Sequence, residues 1–112
     1  MEDEKTMSDI ATRKLFENDR VVMWELALEQ GESSGLHTHQ RDYVFQVLSG
    51  STLETTDKQG VSLGDIDLDT GSTHYLTLDG NELIYGEARL PATHEVRNVG
   101  PNRYYEILVE LK

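Results

Sequence analysis

No cysteine occurs in this 112-residue chain. Disulfides, thiolate ligands, zinc ribbons and iron–sulfur clusters are therefore excluded, and any bound metal must be held by nitrogen and oxygen donors. Long apolar runs are missing too. No stretch of 18 apolar residues exists, so no membrane-spanning helix is expected and no membrane partner. Basic residues are few, with ten Lys and Arg against 21 Asp and Glu, for a formal net charge of -11. They are scattered along the chain, whereas phosphate neutralisation needs them clustered, so nucleic acid is excluded as a partner class. The acidic start Met1–Lys5 has neither the basic opening nor the apolar run of a signal peptide, and the default location is cytoplasmic. Convincing helices are also absent, as are linkers, repeats and low-complexity tracts within 20–112.

What remains is one domain's length of β-type sequence. Residues 1–14 are expected to form an acidic, disordered tail and 15–112 a β domain. Residues 10–18 suit a helical turn or an edge strand. Val22, Trp24, Leu26 and Leu28 alternate with Val21, Met23, Glu25 and Ala27, which predicts a strand with one fully apolar face. Further strands are expected at Leu36–His39, Tyr43–Leu48, Thr52–Thr56, Val61–Leu68, His74–Leu78, Glu82–Leu90 and His94–Val99. Tyr105, Ile107, Val109 and Leu111 give a last strand with clean period-2 alternation. Many short strands separated by turn signals indicate an all-β sandwich or barrel.

The chemistry is concentrated in two stretches. The first reads Gly31-x5-His37-x-His39-x3-Tyr43-x6-Gly50. Residues i and i+2 of a strand point to one face, so His37 and His39 can converge on one ion. The second is Pro91-x-x-His94-x3-Asn98 with Gly100. If the fold joins His94 to the pair, three neutral imidazoles form a metal site with open positions. Imidazole suits iron, zinc, nickel and copper alike, so the ligands do not select the metal.

The first stretch resembles the first motif of the cupin superfamily, and the second stretch its second motif. With Asp42-Tyr43-Val44 after the histidine pair, the chain is most similar to small single-domain cupins of the cupin 2 type, some of them associated with β-alanine breakdown. The resemblance implies an all-β single-domain cupin, a double-stranded β-helix or jelly-roll barrel. It departs from the family pattern at Tyr43, where a glutamate ligand is usual. The span from Pro91 to His94 is two residues short, and the region 51–90 is long. Gly71-Ser-Thr-His74 could itself open a second motif, with an inserted hairpin around Asp79–Ala88.

The resemblance implies a divalent transition metal on His37, His39 and His94, with iron(II) favoured and zinc, nickel or copper compatible. Tyr43 is the catalytic candidate, placed beside the metal to hydrogen-bond a bound water or to fill the space of the missing carboxylate. Arg41 and Arg89 are candidates for a substrate carboxylate, and His74 for an auxiliary substrate contact. Asn98 is expected to close a turn or orient His94. The function implied is a three-histidine, dioxygenase-like metalloenzyme acting on a small organic acid or related metabolite. The alternative is a non-catalytic small-molecule-binding or structural cupin module. Small cupins often pair through N-terminal strands, and the outer stripe Val21, Met23 and Ala27 fits a homodimer.

Overall fold

The computed structural model describes residues 7–112, and within them the secondary structure is entirely β. The strands are β1 (Arg13–Glu17), β2 (Val21–Leu28), β3 (His37–Thr38), β4 (Tyr43–Ser49), β5 (Ser51–Thr56), β6 (Ser62–Leu68), β7 (Thr73–Asp79), β8 (Glu82–Tyr85), β9 (Ala88–Pro91), β10 (Thr93–Asn98) and β11 (Tyr104–Leu111). They form a seven-stranded sheet, β1-β2-β11-β4-β7-β8-β9, and a four-stranded sheet, β3-β10-β5-β6. All pairings are antiparallel.

Strand β2 behaves as its alternation predicts. Val22, Trp24, Leu26 and Leu28 are buried in the core between the sheets, and their partners in the pattern are half-exposed. Burying such a side chain stabilises by about 1.5–3 kcal/mol each, so this one strand fixes its own register. The motif glycines have local reasons. Gly31 takes φ +86°, which an L side chain rarely adopts. A Cβ at Gly50 would strike the backbone of Leu68 and Thr70.

Three expectations change. The stretch Glu82–Leu90 is two strands, because Gly86 at φ +61° makes a two-residue turn that pairs Tyr85 with Ala88. The tail expected over 1–14 lies outside the described residues for 1–6. From Ser8 onward the chain is held, with the Ser8 N–H bonded to Leu36 O at 2.7 Å, Ala11 buried, and β1 starting at Arg13.

The third change concerns β11, whose apolar alternation is real but faces outward. Tyr104, Glu106, Leu108 and Glu110 are buried, whereas Tyr105, Ile107 and Val109 are half-exposed and Leu111 is exposed. The pairing of β11 with β2 and β4 sets this phase, since Glu106 stands opposite inward-facing Leu26 and Val47. Two carboxylates thus enter the interior. Glu110 is held there by the Trp24 indole N–H at 2.9 Å and by Arg41 at 3.5 Å.

Asn98 is fully buried and uses all its hydrogen-bonding capacity on its own chain. Its Oδ1 accepts from Ser51 Oγ (2.8 Å) and the Gly100 N–H (3.1 Å). Its Nδ2 donates to Leu28 O (2.9 Å) and Asn102 O (2.7 Å). One side chain therefore ties the ends of β2, β5 and β10 to the turn before β11.

Candidate metal centre

The two short stretches meet by strand pairing. His94 stands directly opposite His37 in the β10–β3 ladder, and cross-strand partners share a face. His39 follows β3 and is fastened by its N–H to Ala92 O at 2.9 Å. Thr38 and Thr93 bond through their hydroxyls at 2.8 Å beside this pair. The three imidazoles are buried, with ring centres 4.8–5.0 Å apart. One potential ligand atom from each lies within 4.8 Å of the others.

Two rings are oriented for coordination. His37 Nδ1 lies 2.9 Å from Gly35 O, and His94 Nδ1 lies 2.7 Å from Pro91 O. A carbonyl only accepts, so each Nδ1 carries the proton and each Nε2 keeps its lone pair. Such a backbone contact is the usual support for a metal-bound histidine. Nδ1 of His39 is buried without a hydrogen-bond partner, an uncompensated cost that coordination of this ring would offset. Burial is the main cause that holds all three pKa values down, His94 to about 4 and His39 to about 2. The cluster is therefore neutral near pH 7, the form that binds metals. On this geometry the residues fit a nitrogen-ligated transition metal.

Tyr43 is buried at the start of β4 and stacks on His39, with ring centres 4.3 Å apart and planes at 18°. Burial, with the nearby Glu106 and Glu110, pushes its phenol pKa well up. It stays a neutral phenol, which opposes a phenolate ligand and suits a hydrogen-bond donor. The preceding Asp42 accepts the Leu78 N–H at 2.8 Å, which pins the turn that aims Tyr43.

The cluster lines a cavity of about 120 Å³ between the sheets, open at one side. The other expected contacts lie elsewhere. Arg41 pairs with Glu110, and Arg89 pairs with Asp79 (3.1 Å) and Glu82 (3.0 Å) on the exposed β8–β9 hairpin. Neither lines the cavity, because their own carboxylate partners hold them away from it. His74 stands behind the wall, bonded to the Tyr85 hydroxyl and to Ser72 Oγ and packed on Phe45 at 4.9 Å. Phe45 and Tyr85 line the cavity in its place.

Glu106 is the site residue that sequence reasoning missed. It lines the cavity and accepts the Tyr104 hydroxyl at 2.5 Å, and burial pushes its pKa up to about 7. The available signal was the pair Glu106 and Glu110 in phase with Leu108, masked by the more apolar face opposite.

No family model and no curated protein matches the chain. Solved structures do. A cupin domain from Bordetella pertussis Tohama I is 22% identical over 98% of this chain and 99% of its own, with a TM-score of 0.68. A cupin superfamily protein from Desulfitobacterium hafniense DCB-2 is 18% identical over 96% of this chain and 82% of its own, TM-score 0.53. A double-stranded β-helix protein from Klebsiella pneumoniae is 16% identical over 96% and 76%, TM-score 0.57. The fold is therefore that of the cupins, two antiparallel sheets closed around a central cavity. More particularly, this is the small single-domain form, with a three-histidine cluster at the cavity wall. The link to β-alanine breakdown rests on the sequence resemblance alone.

Proposed function

We propose that the chain is a metal-dependent enzyme that holds a divalent transition metal through His37, His39 and His94 and acts on a small molecule in the adjoining cavity. The observation that carries this reading is the cluster itself: three buried neutral imidazoles, two of them oriented by backbone carbonyls. Polar groups are costly to bury unpartnered, and a shared ion would give the three rings a common partner. A three-nitrogen set leaves open positions on the ion, where iron(II) would supply dioxygen chemistry and zinc would polarise a carbonyl or acidify water. Iron(II) is favoured, which makes the expected activity dioxygenase-like.

The chain's own residues would do the rest. Tyr43, a neutral phenol against His39, donates a hydrogen bond to a ligand or water beside the site. The apolar walls exclude bulk water. A substrate acid would find the metal as its cation, because no Lys or Arg among the described residues lines the cavity.

Metal analysis of the purified protein tests the first half, and oxygen uptake with iron(II) and a panel of small acids, alcohols, amines and diketones tests the second. A His37→Ala/His39→Ala double variant is expected to lose the metal. Retention of metal by that variant would refute the ligand set. Metal retained by the natural chain, with no turnover under any metal, would leave a ligand-binding cupin.

A further inference from the structure

The cavity has a second polar feature, separate from the histidines. Glu106 is 4% exposed and sits in its wall. It is not among the groups that approach one another within 4.8 Å at the cluster. One carboxylate oxygen, Oε1, accepts the Tyr104 hydroxyl. The other has no hydrogen-bond partner among the described residues. Tyr104 is itself fully buried two residues away on the same face of β11, so the carboxyl group is held in one orientation.

The surroundings define what could complete it. Leu26, Phe45, Leu76 and Leu108 contribute apolar surface to the same cavity, and no cationic side chain of the described residues lines it. A carboxylate oxygen in an apolar cavity is costly without a donor, and none of the described residues supplies one. The volume, about 120 Å³, is close to the ~150 Å³ that holds a benzene-sized molecule.

We propose that Glu106 is the specificity-determining acceptor of this cavity: its free oxygen takes a hydrogen bond from a hydroxyl or ammonium group of a ligand whose apolar body, about one small ring in size, lies among Leu26, Phe45, Leu76 and Leu108. The proposal shares its cavity with the metal reading but does not need the metal to be read out. It selects against anionic ligands at this end of the cavity, since a carboxylate would face Glu106 with no counter-charge.

The test uses four probes that share one ring: cyclopentanol, cyclopentylamine, cyclopentane and cyclopentanecarboxylate. Their affinities are measured by NMR titration of the full chain at about pH 8.5, above the value of about 7 to which burial raises Glu106, with and without zinc. The alcohol and the amine are expected to bind about tenfold tighter than cyclopentane, the effect of one charge-assisted hydrogen bond. The carboxylate is expected not to bind the metal-free protein. Glu106→Leu should abolish the preference. Glu106→Gln, whose amide oxygen still accepts, should keep it for the alcohol and weaken it for the amine. Spectra of both variants report whether the fold is retained, and the Gln variant carries the test if the Leu variant unfolds. Equal affinities for the first three probes, a preference that survives Glu106→Leu, or no saturable binding of any probe would each overturn the proposal. Zinc stoichiometry is measured in parallel. Loss of zinc with the preference intact sinks the metal reading alone, and the converse sinks this one alone.

Discussion

Replacing Glu106 by Gln should change the pH dependence of stability in a way that can be worked out beforehand. Burial raises the folded-state pKa of this carboxyl from 4.5 to about 7. Between those values the unfolded chain gives up its proton while the folded chain keeps it. The group's contribution to stability is thus fully present below pH 4.5 and is lost as pH rises through 7. The span of about 2.5 units corresponds to about 3 kcal/mol, and with Glu106 buried no discount for solvent screening applies. Histidine works the other way. Burial lowers His94 from 6.5 to about 4, so its contribution is present above pH 6.5 and is lost on acidification toward 4, again about 3 kcal/mol. His39 adds in the same direction. In the natural chain the carboxyl partly masks the histidine slope. Glu106→Gln removes the mask and keeps an acceptor for Tyr104. The variant is expected to gain about 3 kcal/mol relative to the natural chain between pH 4.5 and 8, and to lose stability on acidification more steeply. Any constant cost of the buried amide drops out of this difference. Urea unfolding at several pH values, with chelator present and followed by far-UV circular dichroism, measures it. A stability difference that stays constant within about 0.5 kcal/mol across the range would refute the placement of Glu106 in a desolvated wall.

Further outcomes are expected. Asn98→Ala removes four hydrogen bonds of a fully buried side chain at once, and should cost about 3 kcal/mol or more by urea unfolding at neutral pH, with an unchanged slope. Zinc at a hundred times its dissociation constant should stabilise the natural chain by about 2.7 kcal/mol in thermal unfolding, and His94→Ala should abolish that gain. Tyr43→Phe keeps the ring stacked on His39 and removes only the donor, so metal content should be unchanged while turnover falls by about tenfold or more. If metal is lost instead, the donor role assigned to Tyr43 is wrong. Pairing of two chains across the outer face, where Val21, Met23 and Ala27 of β2 run beside Ile107 and Val109 of β11, should give twice the 12.7 kDa chain mass by light scattering. A mass of one chain would refute it.

The all-β class was legible because its signals are local. Alternation over Val21–Leu28 and the Gly and Asp-rich turns needed no partner to be read. The histidines were legible for the same reason, since two residues' spacing in a strand fixes a shared face. Glu82–Leu90 misled because a single glycine at positive φ was enough to fold it into a hairpin. The positions of Arg41, Arg89 and His74 were not legible because their partners, Glu110, Asp79, Glu82 and Tyr85, come from other strands or across a turn.

The linear chain specified a cysteine-free, acidic β domain, the strand that opens its core, and the imidazoles 37 and 39 at a spacing of two. Period and composition are properties of neighbours along the backbone, so they survive without a fold. Which side of β11 faces inward was a different kind of question. Both of its faces alternate with the same period, and hydropathy favoured the wrong one. Pairing with β2 and β4 chose the phase and carried Glu106 into the cavity, while the separate pairing of β10 with β3 brought His94 opposite His37. Register between distant strands is set by the summed packing of whole sheets, and no single segment carries that sum.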